Sequence, residues 1–378
     1  MPEGHAPRQA DVARVAGVSR ATVSTVLGGN GVANRIPEST IERVVEAARS
    51  LGYSPNVSAR KLRGLRNNLI GVHTFGRVFP REHRGFYSDF LVGVEERAEE
   101  TGNDLILFSS TRGDDGERRI YNSGVNRLNI ADGSILMGVP EDREELRRLA
   151  RDGYRFVHIG RRDLKGVDVL SVSPDYVAGT DAATQALIGL GHRSIGYLGT
   201  VRPAEPQIDR YRGYSEAMRA AGLRPAAEER FGPAGPDRRW VDRLRSGRLT
   251  AVLVESVSMA DVVVAELRRA GLQVPADRSV VVLEDLGYDP ELAARWSFLG
   301  IQRNEVGRRA FDLLLGLLDG TPVRSELVEC VAPSAATTGR PRQAGPAGRR
   351  PDVSRRARES GSAAAGDRPN GEAGRCRW

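Results

Sequence analysis

The chain has 378 residues, a formal net charge of +7 and two cysteines, Cys330 and Cys376. This length suits two or three domains with a substantial core, and so few cysteines exclude a secreted scaffold held by disulfides. The N-terminal segment lacks the apolar run of a signal peptide, and no apolar stretch is long enough to span a bilayer, so we expect a cytoplasmic protein without a membrane segment.

Residues 1–55 predict a compact helical domain. A first helix over 11–16 is followed by Gly17, which permits the positive φ of a tight turn, and a second helix begins at Ser19, whose hydroxyl suits the N-cap. After a loop, a third helix begins near Pro37. Its apolar stripe at helical spacing consists of Ile41, Val44, Val45, Ala48 and Leu51. Three short helices with a tight turn between the first two are typical of a helix-turn-helix domain.

Residues 56–67 predict a short basic helix and a linker. From residue 68 onward, short runs of Val, Ile and Leu alternate with amphipathic segments. The strand candidates are 69–73, 104–108, 134–137, 156–159, 169–172, 195–198, 251–254 and 280–283. The helix candidates are 88–100, 141–152, 177–190, 210–221, 259–270 and 305–318. This alternation predicts parallel sheets with helices on both faces, and residues 68–338 are too many for one such core. We therefore expect an α/β core of two doubly wound lobes.

The charge is uneven along the chain: the net charge is +5 over residues 1–66, −4 over 67–339 and +6 over 340–378. Basic ends around an acidic middle indicate a nucleic-acid contact made by the ends. The alternative is solubility combined with a coding bias for arginine, because Lys61 and Lys165 are the only lysines. The composition of residues 339–378 predicts a disordered basic tail, which either attracts phosphate non-specifically or is an unselected extension.

Several short motifs resemble one protein family. Ala13 and the strings AGVS at 16–19, TVS at 22–24 and VL at 26–27 closely resemble the DNA-binding head of the LacI/GalR family of bacterial transcriptional regulators. LGYSPN at 51–56 and ARKL at 59–62 resemble the end of that family's third helix and its hinge. Similar fragments in the core are DG at 132–133, GHRSI at 191–195, Arg210 with GY at 213–214, and GRRA at 307–310. The resemblance implies a homodimeric regulator that binds double-stranded operator DNA.

The resemblance assigns base reading to the start of the second helix. It implies that Arg20 contacts guanine, that Ala21 offers its methyl group, and that Thr25 contacts a base edge or a thymine methyl. A solvated surface charge is the alternative for Arg20. The residues expected at phosphates or in capping are Ser19, Thr22 and Ser24.

The hinge is the second part of the expected DNA contact. The resemblance implies that Leu62 enters the minor groove as an apolar wedge, whose unstacking cost is offset by added contact surface. Asn56, Arg60 and Lys61 are expected to contact the same DNA. The hinge helix is shorter than the ~12 residues that an isolated helix needs, so it should be unfolded without DNA. The alternative is that Leu62 packs against the third helix.

The core resembles the periplasmic-binding-protein-like type I fold, with a ligand cleft at the carboxyl ends of the strands of two similar lobes. The resemblance implies four effector contacts in this cleft, and their chemistry suits a sugar or small polyol. These candidates are Phe86 as a stacking surface, Arg161, Arg210 as the polar clamp, and Glu284. For each of them, a surface ion pair or a brace between the lobes is the alternative.

The chain departs from the family pattern in five places. Arg8 and Gln9 replace a usual Thr cap and apolar residue, so the first helix is expected to begin irregularly. The loop over 28–35 is longer than the common form, and Thr25 stands where many relatives carry Arg. In the cleft, Ser256 and Val257 replace Asn-Asp and Glu284 replaces Asp. The pocket is therefore either re-specified or partly lost.

Enzymatic and metal chemistry finds no support in the sequence. No lysine follows a glycine as a phosphate-binding loop requires, and no G-x-S-x-G motif is present. The five histidines lack metal-ligand spacing. We therefore expect no catalytic residues, no metal and no cofactor, and the helical head disfavours a solute-binding protein of a transport system. The expected function is a repressor whose operator affinity is modulated by a small molecule.

Overall fold

A computed structural model describes residues 7–28, 35–53, 66–75, 87–109, 118–138, 143–226, 229–231, 236, 238–287 and 289–342. The predictions for Asn56, Arg60, Lys61 and Leu62 in the hinge, for Phe86 in the cleft, and for the tail beyond residue 342 lie outside these ranges.

The head consists of three helices, α1 (Gln9–Ala16), α2 (Arg20–Leu27) and α3 (Glu38–Ser50). Gly17 ends α1 with φ +65°, the left-handed conformation that the tight turn requires. The core residues of the head are Val12, Ala13, Ala16, Val23, Val26, Val44, Ala47 and Ala48. The helix-turn-helix prediction is confirmed, but the predicted stripe was wrong at one position. Val45 is exposed, because the buried face of α3 turns toward Ala47 instead.

The expected irregular start of α1 was also wrong. The Arg8 amide donates a 2.9 Å hydrogen bond to the Asp11 carboxylate, and the backbone of Arg8 is extended as an N-cap requires. An acidic side chain in the first turn thus replaces the missing Thr cap, and it also suits the positive end of the helix dipole.

The remaining elements follow in chain order. The strands are β1 (Leu69–Thr74), β2 (Asp104–Phe108), β3 (Tyr121–Asn122), β4 (Val125–Asn126), β5 (Gly133–Met137), β6 (Phe156–Ile159), β7 (Ser171–Pro174), β8 (Ile195–Thr200), β9 (Glu229–Phe231), β10 (Ala251–Val254), β11 (Ser279–Val282), β12 (Ser297–Phe298), β13 (Gly300–Ile301), β14 (Glu326–Val328) and β15 (Cys330–Val331). The helices are α4 (Ser88–Thr101), α5 (Arg143–Arg151), α6 (Tyr176–Gly189), α7 (Glu205–Ala220), α8 (Arg238–Arg245), α9 (Val257–Arg269), α10 (Pro290–Arg295) and α11 (Arg303–Asp319).

The N-terminal lobe is built on a six-stranded parallel sheet in the order β14-β7-β6-β5-β1-β2. Neighbouring residues of β5 point to opposite faces: Ile135 packs with α4 and α11, and Leu136 packs with α5. The helices α4 and α11 approach closely through two glycines. A Cβ on Gly93 would lie 2.1 Å from the Asn304 carbonyl oxygen, and one on Gly307 would lie 2.2 Å from the Phe90 oxygen.

The C-terminal lobe is built on a five-stranded parallel sheet in the order β12-β11-β10-β8-β9. Leu253 of β10 packs on the face covered by α6 and α7, and Val252 packs on the face covered by α8 and α9. Helices thus cover both faces of two separate parallel sheets, which confirms the predicted two-lobed α/β core. The chain passes between the lobes after β7, after β13 and after β14.

Several predicted elements begin at other residues than expected, and two of these shifts have a clear physical reason. β7 lies two residues later than predicted, because it pairs with β14 through Val172, Ser173 and Pro174. α7 begins at Glu205, five residues before the predicted start, because Pro206 lies in the first turn, where a missing N–H costs nothing.

Within the described ranges, no helix is long and apolar enough to cross a membrane.

Candidate nucleic-acid interface and interlobe cleft

The first turn of α2 presents its polar side chains to solvent. The Ser19 hydroxyl accepts a 3.0 Å hydrogen bond from the Thr22 amide, as the N-cap prediction requires, and lies 2.9 Å from the Thr22 hydroxyl. Ser19, Arg20 and Ala21 are exposed, whereas Val23 and Val26 fix the opposite side of the helix in the core. The exposed turn therefore combines a cation, hydroxyl groups and the positive end of a helix dipole, which suits phosphates and base edges.

The other two candidates on α2 are partly buried. The Thr25 hydroxyl donates a 2.9 Å hydrogen bond to the Ala21 carbonyl oxygen, which leaves its methyl group and its oxygen lone pairs for a base. Ser24 is also partly buried. Within the described part of the chain, the Arg20 guanidinium has no recorded ion pair, in contrast to Arg14, which lies 3.7 Å from Asp11.

The segment that follows the hinge is tied to the N-terminal lobe. The Asp132 carboxylate accepts hydrogen bonds of 2.8–3.0 Å from the Asn67 and Asn68 amides, and Arg66 lies 2.8 Å from Asp319 at the end of α11. The linker therefore leaves the core from a fixed place, so a movement of this lobe displaces the start of the linker with it.

Ion pairs join the two lobes at the edge of the cleft. Arg161, two residues after β6, makes hydrogen bonds of 2.9 and 3.1 Å with Asp209 of α7. Glu205, at the start of α7, accepts a 3.0 Å hydrogen bond from the Asp163 amide and lies 2.8 Å from Arg143. In this structure Arg161 therefore acts as a brace between the lobes, which is the alternative given above to an effector contact.

Arg210 lies buried in the C-terminal lobe beside this brace. Its guanidinium donates a 2.7 Å hydrogen bond to Glu255, which directly follows β10, and lies 4.3 Å from the centre of the Tyr176 ring. The Tyr197 hydroxyl donates to the other oxygen of Glu255. Burial alone would lower the pKa of Arg210, but the Glu255 carboxylate raises that pKa above the ordinary arginine value.

Glu284 and its neighbour Asp285 have different roles. The Glu284 carboxylate accepts a 2.9 Å hydrogen bond from the Val257 amide at the start of α9, so in this structure it caps a helix. Asp285 is buried and lies 3.2 Å from Arg303 of α11, which also lies 2.8 Å from Asp89. Burial raises the pKa of Asp285, although the Gly287 amide and Arg303 oppose that rise. Of these two adjacent acids, Asp285 is therefore the one that pairs across the lobes.

Sequence reasoning missed several residues of the cleft. Besides Glu205, Glu255 and Asp285, two tyrosines supply the aromatic surfaces there: Tyr87 on the N-terminal lobe and Tyr176 on the C-terminal lobe. Burial raises the pKa of both hydroxyls, while Arg162 opposes the rise for Tyr87 and Arg210 opposes it for Tyr176. A usable signal did exist for the two acids beside strands, because Glu255 and Asp285 each follow a buried parallel strand at its carboxyl end.

The described residues contain no group of three or more His, Cys, Asp or Glu side chains arranged to hold a metal ion. The chemistry that the cleft offers is hydrogen bonding from arginine, carboxylate and tyrosine groups, together with aromatic surfaces. Such groups suit the recognition of a polar small molecule.

Comparisons with known proteins agree with both halves of this arrangement. Residues 10–56 match the family described as bacterial regulatory proteins, lacI family. Residues 72–237 match periplasmic binding proteins and sugar binding domain of LacI family, and residues 184–339 match a periplasmic binding protein-like domain.

Individual relatives match over most of their length. The ribose operon repressor of Escherichia coli (strain K12) is 31% identical over 81% of this chain and 91% of its own. The structure of a transcriptional regulator CelR–cellobiose complex is 25% identical with a TM-score of 0.57, over 88% of this chain and all of that one. The lac repressor dimer bound to operator and the anti-inducer ONPF shares the fold, at 24% identity and a TM-score of 0.62, over 89% of this chain and all of that one.

Proposed function

The chain belongs to the LacI family of bacterial regulatory proteins, and on that basis we propose that it is a repressor that a sugar releases from its operator. Family membership makes it a DNA-binding transcriptional regulator. The repressing direction is supported by its similarity to the ribose operon repressor. It acts as a homodimer on a near-palindromic site, because one head reads only a few base pairs.

The DNA contacts are assigned to α2 with its N-cap and to the hinge. Arg20, Ala21 and Thr25 read base edges, and Ser19, Thr22 and Ser24 contact phosphates while they cap and pack the helix. In the hinge, Asn56, Arg60 and Lys61 contact the backbone and Leu62 wedges into the minor groove. The observation that carries this assignment is the exposed, Ser19-capped first turn of α2, held outward by the buried Val23 and Val26.

The effector is assigned to the cleft between the lobes and to the class of sugars. The relative CelR is known as a complex with cellobiose, and the chain matches a sugar binding domain over residues 72–237. Arg210, Arg161 and Glu284, together with Phe86, are the proposed contacts. Arg161 and Glu284 would have to exchange an internal partner for the ligand, because each is engaged within the protein in this structure.

The remaining assignments follow from the regulator role. The chain acts in the cytoplasm, where bacterial DNA lies. Like its relatives, it is a regulator and not an enzyme. Its proposed organisation is a head over 1–55, a hinge and linker over 56–67, a sensing and dimerising core over 68–338, and a basic tail over 339–378.

A mobility-shift assay with the chain's own promoter region tests the proposal. The full chain should shift that DNA at salt concentrations where random DNA is not shifted, and a sugar from a panel should reverse the shift. Equal affinity for promoter and random DNA would contradict the operator assignment. A specific shift that no sugar reverses would contradict the effector class alone.

A further inference from the structure

The arginines at the lobe interface are paired with carboxylates of the same chain. The pairs that join or adjoin the lobes are Arg161 with Asp209, Arg143 with Glu205, Arg303 with Asp285 and Asp89, and Arg210 with Glu255. Arg161–Asp209, Arg143–Glu205 and Arg303–Asp285 connect the two lobes, whereas Arg303–Asp89 lies within the N-terminal lobe and Arg210–Glu255 within the C-terminal lobe. The Arg210–Glu255 pair therefore persists whether the lobes approach or separate.

Glu255 is committed to Arg210 by geometry and burial. The side chains of Arg210 and Glu255 are 8% and 1% exposed, and both oxygens of Glu255 are engaged, one by Arg210 and one by the Tyr197 hydroxyl. At so low an exposure, either charge without its partner is strongly unfavourable, so removal of one partner leaves the other to bind any counter-ion that can reach it.

The pair adjoins the surface where the lobes meet. Asp209, directly before Arg210 in α7, bonds to Arg161 of the other lobe. Asp285, which follows the strand next to β10, forms an ion pair with Arg303 of the other lobe at 3.2 Å. The Tyr176 ring, which lies just after the first interlobe connection, covers the guanidinium. A ligand held between the lobes would thus meet Arg210 with its charge already neutralised.

One donor of Arg210 remains open. Its buried Nε has no hydrogen-bond acceptor among the described residues. A buried N–H without an acceptor is costly, and the hydroxyl of a sugar satisfies it without bringing a charge. This atom therefore suits a ligand group that accepts a hydrogen bond, and the neutralised Arg210–Glu255 pair favours a group without charge.

We propose that Glu255 is a specificity-determining residue of the interlobe site: by neutralising Arg210, it restricts the effector to uncharged, hydroxyl-rich molecules and excludes sugar acids and sugar phosphates. The proposal rests on the sugar effector proposed above. An anionic group at Arg210 would either displace Glu255 into a buried site without a partner or place a second negative charge beside it, and both are unfavourable.

Replacement of Glu255 by glutamine tests this directly, since it keeps the size and one hydrogen-bond acceptor but removes the charge. The full chain and the Glu255→Gln variant are titrated by calorimetry with glucose, galactose, glucuronate, galacturonate and inorganic phosphate at constant ionic strength. The variant should bind at least one of the three anions about tenfold tighter than the wild type, because Arg210 gains a free charge-assisted bond.

Three further variants serve as controls. Glu255→Asp keeps the negative charge and should still exclude anions. Glu255→Gln combined with Arg210→Gln should lose the acquired anion affinity. Glu216→Gln removes the carboxylate of the exposed Arg212 pair and should bind anions as the wild type does. If circular dichroism shows that Glu255→Gln is unfolded, Glu255→Ser takes its place in the same comparison.

The outcomes separate this inference from the proposed function. Wild-type protein that binds uronates or phosphate as tightly as the charge-removing variant would overturn the inference, as would a folded variant with no gain for any of the three anions. Wild-type protein that binds no neutral sugar would overturn the sugar effector, and the phosphate affinities would still decide the role of Glu255.

Discussion

The first turn of α2 and the interlobe cleft use arginine in opposite ways. On α2, Arg20 is exposed and has no recorded ion pair within the described ranges. In the cleft, Arg161 and Arg210 are each bonded to a carboxylate of the same chain. An unpaired surface charge gains its partner only when DNA arrives, whereas a paired charge already stabilises the fold. Substitutions in the two regions should therefore separate DNA affinity from protein stability.

The largest effect is expected for Arg210→Ala, which leaves Glu255 buried without a cation. We expect the free energy of unfolding to fall by about 3–5 kcal/mol, measured by urea denaturation. Below the variant's unfolding temperature, operator binding should persist and the response to a sugar should be lost.

Arg212→Ala is the matched control, because Arg212 lies two residues further along α7 in an exposed pair with Glu216. It should leave stability almost unchanged. Equal losses of stability in Arg210→Ala and Arg212→Ala would show that burial does not distinguish the two pairs.

Glu205→Gln tests the ion pairs of the interlobe cleft through the pH dependence of protein stability. Burial alone would raise the pKa of Glu205, but the Asp163 amide, Arg162 and Arg143 lower it below the ordinary value of 4.5. A carboxyl whose pKa is lower in the folded than in the unfolded state stabilises the fold at pH values above its unfolded-state pKa. This stabilisation is lost as the pH falls through the folded-state pKa. The variant should therefore be about 1–3 kcal/mol less stable than the wild type at pH 7, with a difference that shrinks below about pH 4.5. A difference that stays constant down to acidic pH would contradict this role.

Arg20→Ala tests the exposed first turn of α2. We expect a loss of about 1–3 kcal/mol in operator affinity, confined to operators that carry the preferred base at one symmetric pair of positions. Thermal unfolding should be unchanged, because the side chain supports no described contact within the head. A uniform loss across operator variants would make Arg20 a phosphate contact.

The smallest effect is expected for Ser19→Ala, which removes the N-cap of α2 but no core group. The cap bond to the Thr22 amide should be worth about 1 kcal/mol of head stability. Ser39→Ala is the control. Ser39 is the second residue of α3, a helix whose N-cap Pro37 makes no side-chain cap bond, so this variant should change the stability of the head little. The two variants are compared by thermal unfolding of the full chain.

The two regions also differ in how well the sequence predicts them. The Ser19 cap joins residues three apart, and the spacing of Val23 and Val26 alone orients the helix, so the exposed positions of α2 follow from local pattern. The alternation of apolar runs with amphipathic segments likewise predicts parallel sheets covered by helices, as the structure has them. The contacts of the cleft do not follow from local pattern, because Arg210 and Glu255 are 45 residues apart and meet only after β8 and β10 pair.

Residue type alone was therefore a poor guide in the cleft. Glu284 and Asp285 are adjacent acids after the same strand, but one caps α9 and the other pairs across the lobes. Which of the two points across the cleft depends on the packing of β11 and α11. The position of β7 is similar, since pairing with β14 and not apolar content decides where the strand begins.

The most direct test of the account is operator affinity with and without a neutral sugar that binds the full chain. Fluorescence anisotropy at fixed salt would measure binding to a labelled operator and to random DNA. We expect the sugar to weaken operator binding about tenfold and to leave random-DNA binding unchanged, because it acts on the lobe arrangement and not on the basic surfaces. Operator affinity that is unchanged at saturating sugar would contradict the proposed coupling between the interlobe site and the DNA-binding helix α2.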